Sequence, residues 1–294
     1  MTTIGFIGLG IMGLPMAKNL VAAHHDVIGY NRSPGKVAEL EASGGRGAAS
    51  VAEATTGADV IITMLPDTPD VEAVVLGENG VLANGRPGQL LIDMSTITPA
   101  TSRLVAERAS NRGLRTLDAP VSGGEAGAIE GTLSIMVGGE AADYDAAEPV
   151  LAAMGSTIVH VGPHGAGQSV KAANQLIVAG NIQLLAEALA LVEALGVDPE
   201  AAVSVLRGGL AGSTVLERKA GNMLARDFPP GFRLALHHKD MGIVTSAARE
   251  AGVSIPLGGA VAQLITALVA RGHGDLDHSA LFKLTEELAG RERP

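Results

Sequence analysis

Lys171 is the residue of this sequence with the clearest capacity for proton transfer. It stands near the start of a long run rich in Leu, Ile, Val and Ala, in which no proline occurs until Pro199. Asn174 and Gln175 follow three and four residues later, so a helix would carry all three polar side chains on one face. A lysine in an apolar cleft gives up its proton more readily than one in water and can serve as acid and base. The alternative is a solvated lysine whose stem lies along the helix surface.

A glycine-rich segment near the N-terminus could bind phosphates. The pattern G-x-G-x-x-G lies between an apolar strand-like stretch and an apolar helical one, and consists of Gly8, Leu9, Gly10, Ile11, Met12 and Gly13. In this context the first glycine allows a tight turn, the second lets a pyrophosphate approach the backbone, and the third lets the helix pack on the sheet. The free N–H groups at the helix N-terminus favour anions. The segment predicts a dinucleotide site, with an ordinary glycine turn as the alternative.

The end of the second predicted strand indicates which dinucleotide binds. An acidic residue that bonds the ribose 2′-hydroxyl of NAD is expected there, but the sequence has Asn31, Arg32 and Ser33. The planar guanidinium of an arginine can bind a 2′-phosphate. We therefore predict that NADP(H) is preferred and that NAD(H) is possible. A solvated surface arginine is the alternative interpretation.

A serine followed by two glycines could bind an anion. Ser122, Gly123 and Gly124 come shortly after the predicted strand Leu114–Asp118. The serine offers a hydroxyl, and consecutive glycines can turn backbone N–H groups toward one point. The alternative is a glycine loop without a ligand.

Strands and helices alternate over residues 1–163. The predicted strands are Ile4–Gly8, Asp26–Tyr30, Asp59–Leu65, Gln89–Met94, Leu114–Asp118, Leu133–Val137 and Thr157–Val161. The alternation is typical of an α/β Rossmann fold with a doubly wound, mainly parallel sheet, in which ligands bind beyond the carboxyl ends of strands. Met64, Leu65 and Pro66 lie at one such end and are candidate cofactor contacts. Thr96 follows the next strand and is another.

Residues 164–294 are predicted to form a second, all-helical domain. It opens with a long helix over about residues 166–195. Five further segments have a period near 3.6 residues, namely Pro199–Arg207, Val215–Leu224, Lys239–Ala251, Pro256–Arg271 and His278–Leu288.

The composition argues against several classes of protein. The net charge of −10 disfavours a nucleic-acid partner, and the absence of cysteine excludes disulfides and thiolate chemistry. Polar residues such as Asn181 and Glu187 interrupt the long apolar helix, so we expect no membrane span. Adjacent His237 and His238 would diverge on a helix, and no metal site is predicted. With no secretory signal visible, we expect a cytoplasmic protein.

Four segments together resemble the signatures of the β-hydroxyacid dehydrogenase family. They are Gly8–Gly13, Asp118–Gly124, the glycine-rich stretch Gly162–Lys171, and His238-Lys239-Asp240. Further stretches resemble the tartronate semialdehyde reductase branch of that family, namely Leu76–Gly80, Gly123–Ala126, Arg207–Leu216 and Gly272–Ala280. The similarity extends over essentially the whole chain.

The resemblance implies a role for each matching residue. Lys171 matches the catalytic lysine, and Ser122, Gly123 and Gly124 match the loop that binds the substrate carboxylate. Thr96 and Lys239 match cofactor contacts, the latter near the nicotinamide. Many members have Asn four residues after the catalytic lysine, where this sequence has Gln175, so either Asn174 or Gln175 would contact substrate.

The resemblance also implies an activity, namely reversible reduction of tartronate semialdehyde (2-hydroxy-3-oxopropionate) to D-glycerate by hydride transfer from NAD(P)H. It implies a homo-oligomer, a dimer or tetramer, that assembles through the helical domain. The first alternative is another β-hydroxyacid, such as 3-hydroxyisobutyrate, 4-hydroxybutyrate or serine. The second is a non-catalytic dinucleotide-binding scaffold, which would have no need of a buried lysine.

Overall fold

The structure is a computed structural model, and it describes residues 1–291. The chain divides into two compact units, of which the first spans Met1–Lys171 and the second begins at Ala172. Each unit has its own apolar core.

A nine-stranded sheet forms the centre of the first unit, all of which the structure describes. Its strands are β1 (Thr3–Ile7), β2 (Asp26–Tyr30), β3 (Arg46–Gly47), β4 (Val60–Thr63), β5 (Leu90–Asp93), β6 (Arg115–Asp118), β7 (Val121–Ser122), β8 (Leu133–Gly139) and β9 (Gly155–Gly162). The spatial order is β3-β2-β1-β4-β5-β6-β8-β7, and β9 pairs with β8. Strands β1 to β6 are parallel to one another, whereas β8 runs antiparallel to β6 and β7. The doubly wound, mainly parallel sheet confirms the predicted fold class.

The central strands are buried on both faces, which explains why they are apolar without alternation. In β4 and β5 every residue is buried. Helices cover both sides of such a sheet, so consecutive Val, Ile and Leu residues all contact apolar neighbours.

The helices of the first unit follow the strands in the expected alternation. They are α1 (Gly13–Ala22), α2 (Pro34–Glu41), α3 (Val51–Thr56), α4 (Thr68–Val71), α5 (Val81–Asn84), α6 (Pro99–Ser110), α7 (Gly124–Glu130) and α8 (Ala141–Leu151). The sequence did not predict β3 or the antiparallel β7–β8 pair. Both β3 and β7 are two residues long, which is too short for a period of hydrophobicity to be recognised.

Helix α9 (Ala166–Ala194) contains the end of the first unit and the start of the second, and it matches the predicted long helix. Its most apolar 18-residue window has a mean hydropathy of 1.6, so by length and composition alone it could cross a membrane. Core helices of soluble proteins reach the same value, so the hydropathy of α9 does not by itself distinguish a membrane span from a core helix.

The second unit is helical. After α9 come α10 (Pro199–Gly208), α11 (Thr214–Ala225), α12 (Leu234–Glu250), α13 (Pro256–Leu268), a π-helical turn (Val269–His273), a 3₁₀ turn (His278–Ala280) and α14 (Leu281–Leu288). Buried apolar residues on facing helices, among them Ile182, Met223 and Ile265, form its core.

Helix α12 begins at Leu234, five residues before the predicted start at Lys239. Arg233 is in extended conformation and forms an antiparallel bridge with Asp277. The N–H of Leu234 donates to the carbonyl of Leu276 at 2.8 Å, so a distant segment stabilises the start of the helix. The prediction was wrong because this contact is non-local. Lys239 and Asp240 consequently lie in the second turn of α12.

Candidate active site

The glycine-rich segment forms the turn between β1 and α1. Gly8 has φ +103°, and a Cβ there would collide with the carbonyl of Met64. A Cβ at Gly13 would collide with the carbonyl of Gly8, whereas Gly10 faces open space. Two glycines therefore allow close packing, and the third leaves room for a ligand at the start of α1. These features fit a dinucleotide pyrophosphate.

Asn31 links the end of β2 to this turn. Its Oδ1 accepts a hydrogen bond from the N–H of Leu9 at 3.1 Å, and its Nδ2 donates to the carbonyl of Ser33 at 3.1 Å. Arg32 between them is exposed. Asn31, Arg32 and Ser33 are the predicted cofactor contacts at the end of β2, but the hydrogen bond of Asn31 to the glycine-rich turn was not predicted.

A hydrogen bond to the Ser95 side chain links the segments that follow β4 and β5. The N–H of Leu65 donates to Oγ of Ser95 at 2.9 Å, so the predicted cofactor contacts Met64, Leu65 and Pro66 lie beside the segment that contains Thr96. Thr96 is partly buried and Pro66 is exposed. The parallel pairing of β4 with β5 brings these two strand ends to the same edge of the sheet.

The predicted anion-binding loop begins in β7. Ser122 pairs with Ser134 of β8 and is partly exposed. Gly123 and Gly124 have φ of +144° and +65°, which side-chain-bearing residues rarely adopt. Helix α7 begins at Gly124, so the loop leads directly into a helix N-terminus.

Lys171 lies against this loop. Its side chain is buried, with 6% of the residue exposed, and its Nζ donates a hydrogen bond to the carbonyl of Val121 at 2.7 Å. Val121 is the residue before Ser122. The structure thus brings together the predicted proton donor and the predicted carboxylate-binding loop, which are separated by about fifty residues in sequence.

Two buried polar residues that the sequence analysis did not single out hold the beginning of α9. Asp118 accepts hydrogen bonds from the N–H groups of Gly165 and Gln168, and the Gln168 side chain bonds the backbone near Ser95. Burial raises the pKa of Asp118, and the two amide bonds oppose that rise. A signal existed in the sequence, because a carboxylate at the end of a buried strand requires partners.

The remaining predicted residues lie in the second unit. The Nδ2 of Asn174 donates to Oε1 of Gln175 at 2.8 Å, and the Nε2 of Gln175 donates to Oδ2 of Asp240 at 2.5 Å. Lys239 pairs with the other oxygen of Asp240 at 2.8 Å. Asp240 therefore connects α9 to the predicted lysine of α12.

Among the histidines and acids near residues 273–278, Asp277 is fully buried and has several partners. Its carboxylate pairs with Lys219 at 2.8 Å and accepts hydrogen bonds from the amides of Gly231, Phe232 and Ser279. Within residues 1–291 no group of three or more His, Asp or Glu side chains is arranged to hold a metal ion.

Two family models together match nearly the whole chain. Residues 3–162 match the NAD-binding domain of 6-phosphogluconate dehydrogenase. Residues 165–285 match a domain described as the NAD-binding domain of NADP-dependent 3-hydroxyisobutyrate dehydrogenase.

Individual proteins are similar over the same length. The chain is 42% identical to 2-hydroxy-3-oxopropionate reductase of Escherichia coli, covering 98% of this chain and 99% of that one. It is 39% identical to NAD-dependent L-serine dehydrogenase of Pseudomonas aeruginosa, over 99% and 100% of the two chains. The structure of 3-hydroxyisobutyrate dehydrogenase of Mycobacterium tuberculosis with L-serine is similar with a TM-score of 0.88 and 39% identity, over 97% and 99% of the two chains.

These relatives act on different substrates at nearly equal similarity, so the comparisons establish the family and leave its substrate open. The fold, the dinucleotide turn and the buried lysine agree with that assignment. The chain belongs to the β-hydroxyacid dehydrogenase family and is an NAD(P)-dependent oxidoreductase similar to the 3-hydroxyisobutyrate dehydrogenases.

Proposed function

We propose that the enzyme reversibly reduces tartronate semialdehyde to D-glycerate, with NADPH as the preferred reductant. The observation that carries the proposal is the buried Nζ of Lys171, 2.7 Å from the carbonyl of Val121 and next to the Ser122 loop. The 42% identity to a 2-hydroxy-3-oxopropionate reductase supports this substrate. Serine and 3-hydroxyisobutyrate are the alternatives, supported by relatives of similar identity.

The chemistry follows from the groups around Lys171. When bound, the cofactor supplies the hydride that reduces the aldehyde carbon. Ser122 and the amides of Gly123 and Gly124 bind the substrate carboxylate and so orient the aldehyde. As negative charge develops on the carbonyl oxygen, the ammonium of Lys171 stabilises it and donates a proton. In the oxidation of the alcohol, the free amine of Lys171 accepts that proton.

Replacement of Lys171 tests the proposal directly. The Lys171→Ala variant should lose about 10²- to 10⁴-fold in kcat, because a positioned proton donor contributes on that order. Its affinity for NADPH, measured by fluorescence titration, should stay within about twofold. Lys283→Ala is the matched control, since that partly exposed lysine pairs with Glu287 one turn along the same helix. Unchanged kcat in Lys171→Ala would refute the proposal.

The preference for NADPH rests on Arg32. It is exposed just after β2, where its neighbours in sequence are Asn31 and Ser33 rather than an acid that would repel a 2′-phosphate. Replacing Arg32 by Ala should lower the ratio of kcat/KM for NADPH over NADH by about tenfold or more, since a charge-assisted bond contributes roughly 1.5–3 kcal/mol. Arg86→Ala is the control, because Arg86 pairs with Asp59 at another part of the sheet. A ratio that does not change would exclude Arg32 as the determinant.

A substrate panel separates the alternatives. We expect kcat/KM for tartronate semialdehyde to exceed that for methylmalonate semialdehyde and succinic semialdehyde, and D-glycerate to be oxidised faster than serine. A higher value for another acid would reassign the substrate and leave the mechanism of Lys171 unchanged.

We further propose a homo-oligomer that assembles through the helical unit and functions in the cytoplasm. Ile177, Leu184 and Leu191 recur every seven residues on α9 and are 63%, 60% and 61% exposed. Such an exposed apolar stripe is typical of a protein interface. Leu184→Glu should reduce the particle mass measured by light scattering, whereas Val205→Glu on α10 should not.

The functional division of the chain is proposed to lie near residue 164, with the dinucleotide domain before it and the substrate and assembly domain after it.

The roles of Asn174, Gln175 and Lys239 stay predictions. Because both polar groups of the Gln175 amide are bound to Asn174 and Asp240, we favour Asn174 as the residue that contacts substrate.

A further inference from the structure

Asp118 connects the strand before the substrate loop to the helix that carries Lys171. It is the last residue of β6 and is 2% exposed. Its Oδ1 accepts the N–H of Gly165 at 2.7 Å, and its Oδ2 accepts the N–H of Gln168 at 3.0 Å. Both oxygens therefore bind donors at the start of α9, which otherwise lack partners within the helix.

Gln168 connects the same turn of α9 to the end of β5. Its side chain is buried, donates from Nε2 to the carbonyl of Ser95 at 2.8 Å, and accepts at Oε1 from the N–H of Ile97 at 3.1 Å. These two backbone groups lie on either side of Thr96, the predicted cofactor contact. The first turn of α9 is therefore hydrogen-bonded to the segment before the substrate loop, through Asp118, and to the segment that contains Thr96, through Gln168. The reaction is proposed to occur between these two segments.

Two glycines let the helix approach this closely. A Cβ on Gly167 would lie 2.7 Å from the carbonyl oxygen of Asp118 and 2.9 Å from its Oδ2. A Cβ on Gly138, in β8, would lie 2.8 Å from the N of Gly167. The helix backbone rests on the sheet at Gly167, and Lys171 follows four residues later, one turn along the helix.

We infer that Asp118 and Gln168 are positioning residues that set the place of the Lys171 amine relative to the substrate loop and to Thr96; this inference rests on the proposed function. Neither side chain acts on the substrate. Asp118 lies three residues before Val121, whose carbonyl accepts from the Lys171 Nζ. One short segment therefore holds both the first turn of the helix and the end of the lysine side chain, which leaves the amine little freedom to move.

The test is Asp118→Asn. Asparagine has the same shape but replaces one acceptor oxygen by an N–H₂ group, which would face a backbone N–H. Misplacement of a reacting group by about 1 Å can cost about 10²-fold in rate. We expect kcat to fall roughly 10- to 100-fold, while the KM for NADPH stays within about twofold because the dinucleotide turn is untouched. Asp143→Asn is the matched control, since Asp143 is a buried aspartate of the same unit that pairs with Arg115 at 3.1 Å.

A second readout separates positioning from general destabilisation. With a less constrained lysine, proton transfer from the alcohol to the amine should become slower, so the solvent deuterium isotope effect on kcat for D-glycerate oxidation should be larger in Asp118→Asn. Loss of folded protein would lower the active fraction without changing this isotope effect. Gln168→Met removes the hydrogen bonds to the backbone of Ser95 and Ile97, just after β5, and should also lower kcat. If Asp118→Asn fails to fold, Gln168→Met provides the test.

The outcomes distinguish the two proposals when Lys171→Ala is measured in parallel. If Lys171→Ala is inactive while folded Asp118→Asn and Gln168→Met keep kcat within twofold of the wild type, with unchanged isotope effects, the positioning role is overturned and the proposed function stands. If Lys171→Ala keeps its kcat, the proposed function fails, and with it the reason for a positioning role.

Discussion

Asp93 in the first unit and Asp277 in the second are both buried carboxylates, yet their pKa values shift in opposite directions. Asp93 accepts from Oγ1 of Thr63 at 2.7 Å and from the N–H of Ser95 at 3.2 Å, both through Oδ1. Burial raises its pKa to about 6, and these hydrogen bonds only partly oppose the rise. The neighbouring Asp118 on the paired strand adds to it.

Asp277 has a richer set of partners. Lys219 contacts both of its oxygens, and the amides of Gly231, Phe232 and Ser279 donate to them. Burial alone would raise the pKa of Asp277, but the electrostatic effects of His278 and Lys219 and the hydrogen bonds from Lys219 and the Ser279 hydroxyl lower it to about 2. Burial and the proximity of His237 also lower the pKa of the adjacent His278, well below its usual value, and this favours the neutral imidazole.

The difference teaches that burial does not by itself decide the charge of a carboxyl group. Removal from water disfavours the anion at both sites. At Asp277 an ammonium and several well-placed donors replace the lost hydration, whereas at Asp93 the hydrogen bonds from Ser95 and Thr63 do not. Asp277 therefore serves as an ionic centre that joins the segment before α12 to the segment before α14.

The largest expected effect comes from removing Asp277. Asp277→Ala leaves Lys219, which is 19% exposed, without its counter-ion, and leaves three amides without an acceptor. Loss of one partner of a buried pair costs about 3–5 kcal/mol, so the free energy of unfolding in urea at pH 7 should fall by that amount. Asp275→Ala is the control, because the Asp275 side chain is 94% exposed. A loss below about 1 kcal/mol would show that the network is not a stabilising centre.

The next effect is a pH-dependent gain from Asp93→Asn. Because the folded pKa of Asp93 is raised from 3.8 to about 6, the wild type binds its proton more tightly when folded and loses stability as pH rises through that interval. The variant lacks this loss, so its stability relative to the wild type should increase by about 2.4 kcal/mol between pH 4 and pH 8, because each pKa unit is worth about 1.36 kcal/mol and part of the change has already occurred at pH 4. Urea unfolding at both pH values measures the difference. A constant difference would mean that Asp93 is ionised in the folded protein at both.

A smaller effect is expected from Lys219→Met. The pKa of Asp277 is depressed, so its contribution to stability is present above pH 3.8 and is lost as pH falls toward 2. Without the ammonium the folded pKa of Asp277 should rise, and the midpoint of acid unfolding should move to higher pH. At pH 7 the loss should be about 2 kcal/mol, the magnitude for hydrogen bonds to charged groups. An unchanged acid midpoint would assign the low pKa to the amides instead.

The smallest effect is expected where neither partner is buried. Asp59 pairs with Arg86 at 3.0 Å, and both side chains are more than half exposed. Asp59→Asn should change the free energy of unfolding by less than about 1 kcal/mol, and by less still in high salt, because water and ions screen the pair. An effect as large as that of Asp277→Ala would show that exposure to solvent does not weaken an ion pair in this protein.

The sequence predicted those features that depend on neighbours along the chain. Periodicity and glycine spacing were enough for the alternating strands and helices, the dinucleotide turn and α9. The start of α12 was predicted wrongly because it depends on Asp277, which lies more than forty residues away from Arg233. Asp118 and Gln168 were not singled out, since a polar residue at a strand end or in a first helical turn has many possible partners.

By itself, the sequence determined the fold class, the family and the candidacy of Lys171, because local hydrophobic patterns and short glycine motifs specify these through contacts between nearby residues. Only the tertiary structure decided that the Lys171 amine donates to the carbonyl of Val121, that Asp118 binds the first turn of α9, and that the pKa values of Asp93 and Asp277 shift in opposite directions. Each of these depends on which donors and charges surround a buried atom after the chain has folded. That set of neighbours is assembled from distant segments.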